Sequence, residues 1–215
     1  MASSVPNNSK FSVAATYAAA IAVSVASNAS ECVLTTANNT YAVGDILEFS
    51  SGWTRANLRL FRVKTASATS VTLEGFDTTS TKLYPAGAGA GSLRKVMTWT
   101  VIPFVKGFEP SGGDAKYNTE EYLDYPDEVQ VPNGFSAASI TMTITDDPAQ
   151  PFNAILQAAT DSQAVTAIRM ELASGAPLLY NGYLSFNPMP TMAKGQNMTV
   201  KCGIALQSRM TRYAA

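Results

Sequence analysis

Residues 139–159 have the sequence SITMTITDDPAQPFNAILQAA, and the spacing of their apolar residues changes along the stretch. Over residues 139–145 apolar side chains alternate with hydroxyls, and a β-strand places alternate side chains on one face. Asp147 and Pro148 suit the cap and the first position of a helix. The apolar residues that follow recur three and four positions apart, as in an amphipathic helix. They are Phe152, Ile155, Leu156 and Ala159. The stretch predicts a half-buried strand and then one short helix over about residues 148–160.

Most of the remaining chain shows the two-residue periodicity of β-strands. Residues 21–25 alternate in this way, and Trp99 lies in an alternating segment where we expect it to be a core residue. Turn residues such as Gly44 and Asp45 separate the shorter apolar segments. The predicted strands after residue 28 are 32–35, 46–50, 58–64, 71–74, 93–101, 139–145 and 165–172, and residues 198–206 alternate in the same way. The pattern predicts a mainly β fold.

The small residues of YPAGAGAGS, residues 84–92, suggest a boundary between modules. We predict a linker over residues 81–92 and a small inserted β module over residues 28–80, with the short strands and turns of a barrel or open sheet. The core would then comprise residues 1–27 and 93–215. A phosphate-binding loop is disfavoured, because no Gly-Lys-Ser/Thr follows the glycines and the next segment has strand periodicity.

The charge of the chain is low in amount and unevenly distributed. Charged residues make up 14% of 215 residues and the net charge is −1, whereas about a quarter is usual in soluble domains. Such a surface is often covered by partners, and a chain without net positive charge is poorly suited to bind nucleic acid through phosphates. Acidic residues are concentrated in residues 109–128, and every charged residue after Glu171 is a lysine or an arginine. An acidic end and a basic end would suit head-to-tail stacking of copies. An acidic loop and a basic tail that only face solvent explain the distribution as well.

Residues 103–126 lack a clear strand pattern and are predicted to form a long loop. Loops of this length are usually functional or disordered, and tyrosines provide interface area at low entropic cost. We therefore predict contacts between subunits here and at the basic residues near the C-terminus, with a mobile surface loop as the alternative. The candidate contact residues are Glu109, Asp114, Tyr117, Glu120, Glu121, Tyr122, Asp124, Tyr125, Lys194, Lys201, Arg209 and Arg212.

The residues that common catalytic and metal sites require are largely missing. The chain has no histidine, which excludes Ser-His-Asp and Cys-His nucleophile systems and every metal site that needs histidine. Ser136 lies in a GFSAA stretch similar to a nucleophile elbow, but a strand follows it and no base is present to activate it. Asp146 and Asp147 are explained as a turn and helix cap, so Glu120 with Asp124 is the remaining pair of carboxylates for acid–base chemistry. The residue spacing of a calcium-binding loop does not occur. We expect no catalysis, no metal and no cofactor.

The cysteines and the N-terminal segment indicate where the chain is made. Cys32 and Cys202 belong to no CxxC pair, and the alternation around Cys202 predicts a small buried residue. Residues 11–26 match a secretory signal weakly, because polar residues interrupt them and part of the segment alternates like a strand. They are also too short and too polar to span a membrane. We therefore expect an unprocessed cytoplasmic product with reduced thiols.

Several stretches together resemble the major tail tube protein of long-tailed bacteriophages. They are VQVPNG at residues 129–134, the strand that ends at Thr145, the DDP helix start at 146–148, the strand at 165–172 and the final segment 198–213. That family is similar to the tube protein of type VI secretion. The resemblance implies a β-sandwich or barrel with one flanking helix, which forms hexameric rings that stack into a hollow tube for DNA passage.

The resemblance also implies partners and roles. The segment 103–128 would correspond to the long loop between stacked rings, and abundant Ser and Thr would fit surfaces buried between subunits. The partners would be further copies of the chain, tail proteins such as the tape measure and terminator, and genomic DNA that passes without specific binding; no membrane is involved. The location would be the virion tail, assembled in the host cytoplasm. Residues 41–78 resemble a small β module of virion proteins, which would decorate the tube or add contacts.

Three other functions stay open on the sequence alone. A capsid decoration protein or a tail terminator would differ in whether its rings stack without limit. A secreted fimbrial or adhesin β-sandwich would use residues 11–29 as a signal and join Cys32 to Cys202. A carboxylate-based enzyme would depend on Glu120 and Asp124.

Overall fold

The chain forms a mainly β structure, a computed structural model that describes residues 7–214. The first seven strands are β1 (Lys10–Tyr17), β2 (Ile21–Ala26), β3 (Val33–Thr36), β4 (Ile46–Ser51), β5 (Arg59–Ser67), β6 (Ser70–Leu73) and β7 (Gly91–Ile102). The next four are β8 (Val105–Ser111), β9 (Ala115–Glu120), β10 (Val129–Phe135) and β11 (Ser139–Thr145). Helix α1 (Phe152–Ser162) precedes β12 (Val165–Glu171), β13 (Pro177–Thr191), β14 (Thr199–Leu206) and β15 (Thr211–Arg212). The predicted mainly β fold with one flanking helix is confirmed.

Six strands close into a barrel. They pair antiparallel in the order β2, β3, β6, β5, β4, β7, and β7 pairs back with β2. Apolar side chains from all six strands fill the interior, and Trp53, from the turn after β4, is among the largest fully buried side chains. A closed barrel leaves no strand edge free to pair with another chain. The barrel is therefore a self-contained unit with its own core.

Strand β7 belongs to both halves of the molecule. Residues 91–95 pair with β2 and β4 in the barrel, whereas residues 96–102 pair with β1 in the second sheet. A third apolar cluster lies at this junction and includes Ala14, Leu60 and Leu179. The two halves are thus joined by one continuous strand and by a shared apolar contact.

The second sheet continues from β7 in the order β1, β12, β13, β14, β11, β8. It surrounds a core that includes Val13, Met142 and Ile168, and α1 packs on this core through Phe152 and Leu156. Strand β13 pairs with three strands: residues 177–183 pair with β12, residues 178–179 with β15 and residues 182–191 with β14. No helix among the described residues is long and apolar enough to cross a membrane.

The helix begins later than its sequence suggests. The predicted start was Pro148, but α1 begins at Phe152. The carboxylate of Asp147 accepts hydrogen bonds from the Ala149 backbone N–H (3.2 Å) and the Gln150 side-chain amide (2.8 Å), which forms a turn ahead of the helix. Local capping of this kind competes with helix formation. The predicted apolar stripe of the helix is correct.

The prediction of a loop over residues 103–126 is wrong for residues 105–111 and 115–120. Val105–Ser111 form the edge strand β8, which pairs with β11, and Ala115–Glu120 form β9, which pairs with β10. Pro110 is compatible with an edge strand because its missing N–H can lie on the free side. Strand β8 depends on a partner that is distant in sequence, and β9 is exposed on both faces, so neither strand shows an alternating apolar pattern.

The Gly/Ala-rich stretch 81–92 packs against the barrel. The Trp53 indole N–H donates a hydrogen bond to the Pro85 carbonyl (2.8 Å), and Tyr84 is buried in the barrel core. A Cβ on Gly89 would lie 2.7 Å from the Trp53 ring, so a larger residue cannot occupy this position without movement. The division into a core, an inserted module and a linker stays a prediction, and its outermost residues 1–6 and 215 lie outside the described part of the chain.

Candidate assembly surfaces

The most exposed part of the molecule is the arm, defined as residues 112–138, which carries the β9–β10 hairpin. Every residue from 109 to 135 is exposed. At its base the Ser136 N–H donates to the Asp114 carbonyl (2.8 Å), and the Asp114 N–H donates to the Ser136 hydroxyl (3.1 Å). An isolated two-stranded hairpin is marginally stable in water. The arm therefore lacks the packed core that the rest of the chain has.

The two faces of the arm differ in chemistry. Tyr117 lies opposite Pro132 and Ala115 lies opposite Phe135, so these four residues share one largely apolar face. The other face combines Val129 and Val131 with polar residues. Beyond the paired residues, the tip exposes Tyr122, Leu123 and Tyr125. Exposed apolar side chains grouped in this way are typical of interaction sites.

The acidic residues of the arm have no ion-pair partner within the described chain. The arm contains six acidic residues and one lysine, Lys116. All five ion pairs lie elsewhere. The acidic residues are Asp114, Glu120, Glu121, Asp124, Asp127 and Glu128. Six acidic residues without an ion-pair partner are thus concentrated on one protrusion.

The structure brings most of the predicted acidic and tyrosine contact residues together but separates the basic ones. Asp114, Tyr117, Glu120, Glu121, Tyr122, Asp124 and Tyr125 lie on the arm, and Glu109 lies on β8 just before it. The Arg209 guanidinium lies 4.5 Å from the centre of the Phe135 ring at the arm base. Lys194 follows β13 at the other end of the sheet, Lys201 is on β14 and Arg212 is on β15. The basic residues therefore do not form a single pole.

One face of the sheet portion formed by β13, β14, β11 and β8 carries mostly hydroxyls and glycine. Across these strands Ser185, Gly203, Thr141 and Glu109 lie side by side in register. The neighbouring row consists of Asn187, Lys201, Thr143 and Gly107. We call this surface the hydroxyl face. The residues that alternate with these along the strands, such as Met142 and Cys202, are apolar and point into the core.

The opposite end of this sheet portion from the arm exposes a cluster of large apolar residues that the sequence analysis missed. Phe104 precedes β8 and has a left-handed φ of 58°, which is uncommon for a bulky residue. Met189 lies near the end of β13, and Met192 and Met198 lie in the turn between β13 and β14. We call these four residues the Met-rich end. The sequence signal for it was the run of three methionines within residues 189–198.

A buried polar cluster connects the barrel to the second sheet. Glu48 accepts hydrogen bonds from Arg94 Nε (2.7 Å) and Nη2 (2.9 Å) and from the Asn181 amide (2.8 Å). The Arg94 guanidinium also lies 4.1 Å from the centre of the Tyr17 ring. Burial raises the pKa of the Tyr17 hydroxyl to about 12. This cluster was also missed, because its members are far apart in sequence.

The cysteines occupy separate cores. Cys32 is buried in the barrel and Cys202 in the core of the second sheet, and both are free thiols. Burial raises the pKa of each thiol, for Cys202 to about 12. The predicted burial of Cys202 is confirmed, and the disulfide required by the adhesin hypothesis does not form. Among residues 7–214 no group of three or more acidic or cysteine side chains is placed to hold a metal ion.

Comparison with models of known protein families gives a match. The family model described as phage tail tube protein, TTP, matches residues 51–215, which include the arm, the hydroxyl face and the Met-rich end. No curated protein matches the chain.

Proposed function

The chain belongs to the phage tail tube protein family, and from this premise we propose that it assembles with its own copies into hexameric rings that stack as the hollow tail tube. The family is a structural one and gives the chain a place in the virion tail. We further propose that the tube contacts the tape measure and terminator proteins and is assembled in the host cytoplasm.

The observation that carries this proposal is the uncovered arm. It exposes both faces of a hairpin, several aromatic side chains and six acidic residues with no ion-pair partner in the described chain. Burying an apolar side chain contributes about 1.5–3 kcal/mol, so covering this surface with a neighbouring subunit would stabilise the assembly. The candidate contact residues on the arm, from Asp114 to Tyr125, would act through this contact.

The hydroxyl face is the surface that suits a tube interior. DNA binds non-specifically where lysine and arginine neutralise its phosphates. The two central rows of this face contain one basic residue, Lys201, and one acidic residue, Glu109. A surface of hydroxyls and small residues offers phosphates few fixed cations. DNA could therefore slide past this face without being held.

The test is to purify the untagged full chain and image it by electron microscopy at increasing concentration. Hollow tubes or stacked rings support the proposal. Single rings that never stack would favour a tail terminator, and monomers at every concentration would reject self-assembly.

A paired variant connects assembly to the arm. Replacing the tip, residues 121–128, with Gly and Ser should abolish stacking while the barrel and second sheet stay folded. The matched control replaces the exposed residues 79–82, which lie on the barrel, in the same way. Tubes from the arm variant that match the wild type would reject the role of the arm.

A further inference from the structure

The arm and the Met-rich end lie at opposite ends of one sheet portion. Strand register sets this arrangement, because Ser139 lies opposite Ser111 and Ala205 at the end from which the arm emerges. At the other end Thr145 lies opposite Thr199, which in turn lies opposite Thr191. Seven residues of β11 separate the two ends, a distance of about 20 Å at 3.4 Å per residue. When two copies stack head to tail, the end of one copy that carries the arm faces the Met-rich end of the other.

The Met-rich end exposes apolar groups that its own chain leaves uncovered. Phe104 is 66% exposed, Met189 73% and Met192 72%, and Met198 is also exposed. The backbone of Phe104 is fixed by its carbonyl, which accepts hydrogen bonds from the N–H and the hydroxyl of Thr145 (3.1 and 3.3 Å). Left-handed backbone at a bulky residue is strained and is concentrated at functional sites.

The chemistry of the two ends is complementary. Methionine is flexible and makes favourable contacts between its sulfur and aromatic rings, and the arm supplies Tyr117, Tyr122 and Tyr125. Exposed Lys106 and Lys194 lie at the Met-rich end and can pair with the acidic arm. Asp146 and Asp147 lie at this end too, but the carboxylate of Asp147 already accepts two hydrogen bonds from its own turn.

We propose that the Met-rich end of one copy receives the arm of the next copy along the stack. This inference rests on the proposed tube function and adds the receiving surface to it. Because the donating and receiving surfaces are different and lie at opposite ends, the contact is heterologous and repeats without closing. The arm on the first copy and the Met-rich end on the last copy then stay uncovered.

Cysteine cross-linking tests the contact directly. Leu123→Cys places a thiol at the arm tip and Met192→Cys places one at the Met-rich end, while the two native thiols are buried and free. Equal amounts of the two single variants, assembled together and oxidised, should form disulfide-linked dimers. The control pairs Leu123→Cys with Met97→Cys, since Met97 is also exposed but lies on β7. Tubes that form without the Leu123–Met192 link, or with the Met97 link instead, overturn the proposal.

Substitution of the Met-rich end gives a second test. Met189→Gln, Met192→Gln and Met198→Gln together should leave single rings but weaken stacking by about tenfold or more, and a combined variant of Met97→Gln and Met210→Gln should stack normally. Unchanged tube length in the triple variant overturns the inference and leaves the tube function standing. Absence of tubes from the wild type overturns both.

Discussion

At the scale of single residues, the ion pair between Glu48 and Arg94 within the barrel holds the carboxylate that binds Asn181 of the second sheet. The Glu48 side chain is 2% exposed, and an unpaired buried carboxylate is strongly destabilising. Arg94→Met should therefore lower the free energy of unfolding by about 3–5 kcal/mol, measured by urea denaturation below the assembly concentration. The control, Lys64→Met, breaks the exposed pair with Glu31 and should cost at most about 1 kcal/mol. Equal losses in the two variants would contradict this assignment.

Buried phenols and thiols predict a loss of stability at alkaline pH. Burial raises the pKa of Tyr17 and of Tyr213 from 10.0 to about 12, and that of the Cys202 thiol from 9.0 to about 12. These groups therefore ionise at lower pH in the unfolded chain than in the folded chain. The free energy of unfolding falls as pH rises from about 9 to 12, by about 1.4 kcal/mol per pH unit for each group between its unfolded and folded pKa values. Urea denaturation at each pH measures the slope. Cys202→Ala should flatten it from pH 9 upward, and an unchanged slope would contradict the assignment.

At the scale of elements, Gly91 is the tightest point of the barrel closure. It begins β7, where that strand pairs with both β2 and β4. A Cβ at this position would overlap the Ser50 carbonyl oxygen of β4. Gly91→Ala should therefore destabilise the chain by about 1–3 kcal/mol through overpacking, measured as a lower thermal midpoint. Gly107→Ala is the matched control, because its nearest neighbour would be Thr143 at 3.8 Å. A larger loss at Gly107 would contradict this account.

Elements with a strong local pattern were predictable and elements defined by distant partners were not. The alternation of residues 139–145 predicts β11 because a half-buried strand leaves its period in the sequence. Strand β8 contains Gly107 and Pro110, which are poor strand formers, and is held by pairing such as that of Phe108 with Met142. The closure of β7 onto β2 is likewise non-local. Local strand propensity does not reveal these pairings.

The candidate contact surface was predictable to a similar degree. The acidic and tyrosine residues are close in sequence, so composition alone grouped them into one candidate contact segment. The Met-rich end depends on the register of Thr145, Thr199 and Thr191, which brings Phe104 to the same end as Met198. The Glu48 cluster depends on Asn181 from a strand far along the chain. Neither the Met-rich end nor the Glu48 cluster could be predicted without the structure.

At the scale of the whole molecule, the concentration of acidic residues on the arm predicts assembly that weakens with salt. The arm is acidic and has no internal ion-pair partners among the described residues, so its attraction to basic residues of a neighbour is exposed to screening, with a Debye length of about 10 Å at 0.1 M salt. Tube length, measured by electron microscopy, should fall as sodium chloride rises. Replacing Glu120, Glu121, Asp124 and Asp127 with their amides should weaken stacking at low salt and remove most of the salt dependence.

The control for this prediction neutralises acids outside the arm. Asp77→Asn with Asp161→Asn changes the net charge but leaves the arm intact, so the salt dependence should persist. Longer tubes from the neutralised arm would show that the acidic residues of adjacent arms repel each other instead of attracting basic partners.

The strand shared by the two halves also sets the order in which the chain can acquire structure as it leaves the ribosome. Strands β2 to β7 are consecutive, so every barrel pairing is available before β8 has been synthesised. Strand β1 emerges earliest but pairs only with β7 and β12, and it must wait for them. Domains form as units during synthesis, N-terminal parts first. The finished barrel then presents residues 96–102 as an edge on which β1 and the rest of the second sheet can pair.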